Sequence, residues 1–170
     1  MADCPSQGLD LGRKLSVEWV PGCGSDSPLS TATTPLDFKP LGYTTTKSIN
    51  RTMRVVDATN DTSGAVMDEV TIGYGVEIPV SVFVAKDVAD VSTHEELQDY
   101  ILDEIDAGRQ PTTWIKITDL QKGKYFYYFC AAGDFSESAE SEGLITGDFN
   151  FKLRATNSQT NAARQTETIT

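Results

Sequence analysis

Six residues late in the chain, Tyr125-Phe126-Tyr127-Tyr128-Phe129-Cys130, limit its possible folds more than any other stretch. In an extended strand successive side chains point to opposite faces, so this run places large rings on both sides of the backbone. At least one of those sides has to meet a second sheet, a helix or a neighbouring subunit. The chain is therefore expected to be layered and mainly β, with Cys130 as a core thiol.

The remaining pattern agrees with a β-rich domain containing one helix. Leu15 to Val20 alternates apolar and polar with period two and stops at Pro21-Gly22, which predicts a half-buried first strand and a turn. Gly24 to Pro35 is a Ser/Thr/Pro-rich loop, followed by a short strand near Phe38 to Tyr43 and an extended segment from Thr45 to Val56. Asp57 to Gly64 is all turn chemistry, because Asn, Asp and Ser bond their own backbone and Gly accepts positive φ. It reads as a hairpin tip, with a return arm from Ala65 to Ile72 that sets Val66, Val70 and Ile72 on one face around Asp68. Glu77 to Ala85 is a further strand, in which Pro79 predicts an edge or a bulge.

At Thr93 the apolar spacing changes. Leu97, Ile101 and Ile105, with Tyr100 and Leu102, follow a helical period. Thr93 and Glu96 form a capping box, and Gly108 stands where a left-handed residue would end the helix. The outward face carries Glu95, Glu96, Asp99, Asp103, Glu104 and Asp106 with no Lys or Arg among them, so the apolar stripe alone is expected to hold the helix on a sheet. After Pro111 come strands at Thr113 to Thr118, Tyr125 to Ala131 and Gly147 to Thr156. Asp134 to Glu142 is either a loop or the start of a strand. In the last strand Phe149, Phe151, Leu153 and Ala155 share one face, opposite Lys152 and Arg154. Two packed sheets, as a sandwich or open barrel, flanked by one helix satisfy this order.

The 170 residues fit one domain, and the net charge of −11 is unevenly distributed. Between Asp57 and Asp148 there are 19 acidic and 5 basic side chains, whereas residues 1–56 sum to +1 and 149–170 to +2. Such an acidic middle repels phosphate and disfavours ordinary nucleic-acid binding. Neutral-to-basic arms on an acidic body suit self-association through two different patches. The polar tail, Asn157 to Thr170, lacks aromatics and is expected to find its partner on a neighbouring copy. No run of about 18 apolar residues exists and Met1 to Asp10 lacks a leader pattern, so neither export nor membrane spanning is expected.

Catalytic chemistry has little to stand on. The single histidine, His94, is expected as a solvated residue of the first helical turn. Glu95 and Glu96 suit the positive end of the helix dipole. No phosphate loop, nucleophile elbow or His/Cys cluster is present, and no catalytic, cofactor or metal residue is assigned. Asp57-x-Thr59-x-Asp61 is a poor calcium loop, because Thr62 occupies the place of the turn glycine and Asp68 that of the bidentate Glu. Cys4, Cys23 and Cys130 are irregularly spaced, and Cys4 and Cys23 would pair across the first strand only if oxidised.

The order of elements is a polar-tipped hairpin, a hydrophobic strand, one helix, the Trp114-Ile115-Lys116-Ile117 strand, the aromatic strand, an acidic segment and Phe149 to Asn157. Over roughly Lys47 to Asn157 it resembles the major tail protein, or tail tube protein, of bacteriophages with long non-contractile tails. The resemblance implies a single β-sandwich domain over residues 1–156, with an N-terminal arm at 1–14 and an extended hairpin at 53–74, and a polar C-terminal arm at 157–170. It implies a non-enzymatic virion protein without cofactors, forming hexameric rings that stack into a tube for DNA ejection. The implied partners are further copies of itself, a tape measure protein and tail terminator or tip proteins. DNA would pass without specific binding, no membrane is involved, and assembly would occur in the host cytoplasm before incorporation in the virion tail.

Six copies carry about −66 per ring, so a carboxylate-lined bore would let the duplex slide. Asp57, Asp61, Asp68, Glu69, Asp134, Glu137 and Glu140 are the candidates for that lining, with the helix acids on the outer surface. Met53, Arg54, Asn60, Thr62 and Arg164 are the candidates for contacts between rings. The alternative reading is an immunoglobulin-like adhesion or carbohydrate-binding module, which would expose aromatics at its loop tips.

Overall fold

The computed structural model describes residues 15–57, 69–83, 94–138, 146–156 and 162–169. Among these the strands are β1 (Leu15–Pro21), β2 (Lys39–Pro40), β3 (Tyr43–Lys47), β4 (Asn50–Asp57), β5 (Glu69–Phe83), β6 (Thr112–Asp119), β7 (Lys124–Ser138), β8 (Thr146–Leu153) and β9 (Arg164–Thr168). One helix, α1 (His94–Asp106), lies between β5 and β6. The strands form one antiparallel sheet in the order β2-β1-β6-β7-β8-β5-β3, with β4 added to β5 and β9 to β7. The expected capping residue Thr93, the hairpin tip and Cys4 lie outside the described residues.

The expected pair of sheets is one continuous sheet, because β5 and β7 are 15 residues long and run through both halves. The chain passes directly from β2 at one edge to β3 at the other through Leu41-Gly42, so the sheet has to curl until its edges meet. Gly42 adopts φ 125°, a conformation that favours glycine. The Leu41 amide extends the β2–β1 ladder by donating to the Val17 carbonyl at 3.1 Å, and across the seam the Lys47 ammonium donates to the Leu15 carbonyl. The result is an open barrel. Burial along the seam holds the Lys47 amine below its usual range.

Pro79 lies inside β5, away from any sheet edge. Its neighbour on one side changes there from β4, whose last pair is Asn50 with Glu77, to β3, whose nearest pair is Lys47 with Val80. The Pro79 carbonyl accepts from Ser48 N on that side at 3.2 Å. The missing N–H therefore falls at the gap between two partner strands, where no ladder bond is lost.

The barrel interior is filled by Val17 and Trp19 of β1, Val76 to Val82 of β5, Ile115 and Ile117 of β6, Tyr128 and Cys130 of β7, and Phe149 and Phe151 of β8. Alternation along β8 is as expected, with Phe149 and Phe151 buried and Lys152 exposed. Burial pushes the Cys130 thiol up to about 12, so it remains protonated and apolar. Helix α1 closes one end of this interior with Leu97 and Ile101. Tyr100 lies tilted against Trp19 with ring centroids 6.2 Å apart, and its hydroxyl donates to the Thr112 carbonyl at 2.8 Å.

Three expectations about the helix need correction. His94 is buried, because the first turn of α1 points into the core. Ile105 and Leu102 are exposed, because the helix runs past the sheet that its first two turns cover. The acidic face is also partly compensated from outside the helix, by Lys39 at Glu96 and by Arg109, whose guanidinium donates twice to Glu104 at 2.6 and 2.8 Å. The helix ends as expected at Gly108, with φ 70°. Arg109 N bonds Glu104 O and Gly108 N bonds Ile105 O, the paired hydrogen bonds of a Schellman motif.

The second face of the aromatic strand is covered by the chain's own loop. Trp114, Tyr127 and Phe129 form an outer core against Leu29 of the Ser/Thr/Pro-rich segment and Leu36 and Phe38 between it and β2, with Ala163. The Trp114 indole donates to the Cys23 carbonyl at 3.1 Å, which anchors the loop at its start. Next to it Gly24 lies against the backbone of Thr156, where an added Cβ would sit 2.1 Å from the Thr156 oxygen.

β9 is where the expected C-terminal arm departs from a purely intermolecular role. Arg164–Thr168 pairs with Tyr128 to Lys124 along the edge of β7 that β8 occupies further on. The Glu167 carboxylate accepts from Tyr127 Oη at 2.8 Å, from Ser30 N at 3.2 Å and from Ser30 Oγ. One side chain thus ties β9, β7 and the covering loop together. Burial works to raise the Glu167 carboxyl, but the Ser30 and Tyr127 hydrogen bonds and the nearby Lys116 outweigh it and hold the group below its ordinary value of 4.5.

Glu167→Ala is expected to cost about 1–2 kcal/mol and to raise amide exchange selectively over residues 124–128 and 29–38; uniform exchange would disprove the tie. Since the folded carboxyl lies below 4.5, this stabilisation is complete above that pH and fades as pH falls through the lowered value. Acid titration of wild type should thus show early exchange at β9 that the variant lacks. Gly24→Ala should destabilise by about 1–3 kcal/mol, read from chemical denaturation, because backbone rather than a flexible side chain blocks the new methyl.

Candidate assembly surfaces

The β4–β5 hairpin leaves the barrel as a two-stranded ribbon. Val76 is its last core residue, and beyond it every residue of β4 is exposed. Cross-strand partners Met53 and Tyr74 are 58% and 49% exposed, and Val55, Val56, Val70 and Ile72 are comparably open. A bulge between Arg54 and Val55 opposite Gly73 and Thr71 inserts Ile72 as an extra residue. An isolated ribbon of this kind is marginal in water, and six exposed aliphatic or aromatic side chains call for a covering partner. Periodicity placed Val70 and Ile72 on one packed face; it carried no signal that the ribbon would outrun the barrel.

The candidate carboxylates separate into two groups. Asp57 and Glu69 stand directly opposite each other at the far end of the described ribbon. Asp134 and Glu137 lie on β7 beside the opposite end of the barrel, where β7 pairs with β8 near Phe149 and Gly147. Along β5 the two ends are about 45 Å apart. Glu137 accepts from the Gln98 side chain of α1 at 2.7 Å, so this carboxylate belongs with the helix. Asp61, Asp68 and Glu140 lie outside the described residues.

Of the contact candidates, Met53 and Arg54 are exposed on the ribbon and Arg164 is exposed at the start of β9. Asn60 and Thr62 lie outside the described residues. Arg51, not singled out from the sequence, reaches from the ribbon base to Tyr128 Oη at 3.4 Å. Among the described residues, no group of three or more His, Cys, Asp and Glu side chains converges. Among the described residues Trp19, Trp114, Tyr127, Tyr128, Phe129, Phe149 and Phe151 are buried, and Tyr74 and Phe83 are the exposed rings.

No protein-family model matches the chain, and no curated protein matches it in sequence. Solved structures do match in fold. A chain from the tail of an empty gene transfer agent particle, determined with C6 symmetry, aligns with TM-score 0.61 and 14% identity over 86% of this chain and 96% of that one. The SPP1 tail tube aligns with TM-score 0.56 and 12% identity, over 94% and 80%. A chain of the anti-feeding prophage baseplate aligns with TM-score 0.54 and 7% identity, over 91% and 93%. The chain therefore shares its overall fold with these tail, tail-tube and baseplate structures.

Proposed function

We propose that the chain is a structural subunit of a phage tail tube, assembling into stacked hexameric rings that conduct DNA and performing no catalysis. The observation that carries this reading is the β4–β5 ribbon, which is apolar, exposed and extended beyond the barrel core. A self-assembling subunit supplies the missing cover from its neighbours. The likeness to the tail determined with C6 symmetry supports six copies per ring. On this reading the protein belongs to a virion tail assembled in the host cytoplasm, with tape measure and tail terminator or tip proteins as its other partners.

The acidic charge then works on the DNA. A bore lined by carboxylates repels the phosphates of the duplex and leaves them no stable resting site. We assign Asp57, Glu69 and Asp134 to that lining, with Asp61, Asp68 and Glu140 kept from the sequence, and place Glu137 with α1. The terminal segment has a mixed role: β9 supports its own barrel through Glu167, and Arg164 remains available to a neighbouring ring.

Concentrated protein is expected to form hollow tubes or stacked rings of uniform diameter in negative-stain electron microscopy. A chain that remains monomeric with a matching tail tip complex present would count against the reading. Replacing residues 53–74 by a two-residue turn should leave a folded monomer that forms no tube, checked by circular dichroism and sedimentation. Reversing Asp57, Glu69 and Asp134 to Lys together should preserve tubes and slow DNA release; an unchanged release rate would remove these residues from the bore.

A further inference from the structure

At the base of the ribbon the barrel mouth holds a cavity of about 190 Å³. Its walls are Leu15, Ile49, Ile117 and Phe126, all packed in or against the barrel core. A second recess of about 170 Å³ adjoins it and shares Leu15, Ile49 and Ile117. Four polar side chains complete the lining: Arg51, Asp119, Lys122 and Tyr128. Apolar walls with a few converging polar groups are the usual build of a small-molecule site. This one is of modest size, since an apolar protein cavity of roughly 150 Å³ takes a single benzene ring.

The polar groups are spent unequally. Asp119 is buried, and its carboxylate accepts from Gln121 N at 3.1 Å and Lys122 N at 3.0 Å and pairs with the Lys122 ammonium at 3.3 Å. Burial works to raise this carboxyl, but the bonds from Lys122 and Gln121 and the Lys122 charge outweigh it and hold the group below its ordinary value. Tyr128 is also buried. Its hydroxyl accepts from Arg51 Nη2 at 3.4 Å, longer than the ordinary bond of about 2.7–3.2 Å, and its own proton has no acceptor among the described residues. Arg51 makes that one contact and no ion pair among the described residues. What remains is all donor: the tyrosine proton and most of a guanidinium, with Arg51 and Lys122 against Asp119 leaving a net charge of +1. A buried donor left without an acceptor is costly, and a charged acceptor satisfies it best.

We propose that the barrel mouth binds a small monocarboxylate with a compact aromatic or branched aliphatic body. One carboxylate oxygen accepts from Arg51 and the other from Tyr128 Oη, bridging donors that stand 3.4 Å apart, while the body lies between Ile49, Ile117 and Phe126. Inorganic phosphate suits the place less, because the apolar walls would strip its hydration without replacing it. The same chemistry is offered by a free organic acid and by the C-terminus of a peptide that ends in an apolar residue. Binding also reaches the ribbon. Arg51 lies on β4 and Tyr128 on β7, so a carboxylate between them ties the base of the ribbon to the barrel wall. The site stands whether or not the chain forms tubes.

The probe is phenylacetate, titrated into the full-length protein and followed by calorimetry and by the methyl resonances of Leu15, Ile49 and Ile117. Saturable shifts with a Kd of about 1 mM or below are expected for a ligand of this size. Phenylacetamide, which keeps the ring and lacks the charge, should bind about tenfold more weakly. Arg51→Gln should weaken phenylacetate about tenfold and Tyr128→Phe about threefold, whereas Arg54→Gln, an equal loss of charge on the same strand outside the cavity, should leave the Kd unchanged. Bound phenylacetate should also slow amide exchange over Asn50 to Thr52. N-acetylphenylalanine separates the two sources: tighter binding than phenylacetate assigns the site to a peptide C-terminus, and weaker binding to a free acid. No saturable shift at about 20 mM phenylacetate, an amide that binds as well as the acid, or Arg54→Gln as damaging as Arg51→Gln would overturn the site.

Discussion

The hydrogen-bond ladder of β7 is the constraint on which the remaining structure depends. One edge pairs with β6 over Lys124 to Ala131, and the other pairs first with β9 and then with β8, changing partners at Phe129. Both faces bear rings, so two cores form on one strand: Tyr128 and Cys130 face the barrel interior, while Tyr127 and Phe129 face the covering loop. A strand paired on both edges and buried on both faces cannot move without disturbing every layer, which makes it the most costly element to unfold locally. β9 and the loop carrying Leu29, Leu36 and Phe38 are secondary to it. They are held because β7 has an edge and a face that water would otherwise reach.

The ends of the barrel differ in kind. At one end α1 closes the core, and among the described residues only Glu96 and Glu104 of its carboxylates have a cationic partner. At the other, β4 and β5 continue their ladder past the last core residue into solvent. A chain built this way is unequal along its length, and in the proposed assembly unequal ends favour head-to-tail contacts over twofold dimers. On the proposed reading the segregated charge serves the same arrangement, since a uniformly acidic surface would oppose every mode of association.

Much of the fold was legible before any tertiary information. β1, β6 and β8 follow from period-two alternation, and α1 follows from the change of period at Thr93 together with Gly108, because backbone geometry makes these patterns local. The two-sided burial of Tyr125 to Phe129 was legible as a requirement, although its second cover, the loop before β2, was not. The stretch before β2 carries no periodicity to show that Leu29, Leu36 and Phe38 form a lid. His94 was misjudged for a related reason: a helix start is usually solvated, and only the packing of α1 across the barrel end turns that residue inward.

At the assembly surfaces the division is sharper. Sequence alone determined the element types, the helix after β5 and the acidic middle, since each depends on neighbours within a few residues. Tertiary structure decided that the ribbon outruns the barrel, that Leu102 and Ile105 lie beyond the sheet, that Asp57 and Glu69 stand far from Asp134 and Glu137, and that β9 pairs with its own chain. Each of these depends on where one element stops relative to another distant in sequence. That is settled by the curl of a sheet whose first edge and last edge are joined through Leu41-Gly42, and no local pattern encodes it.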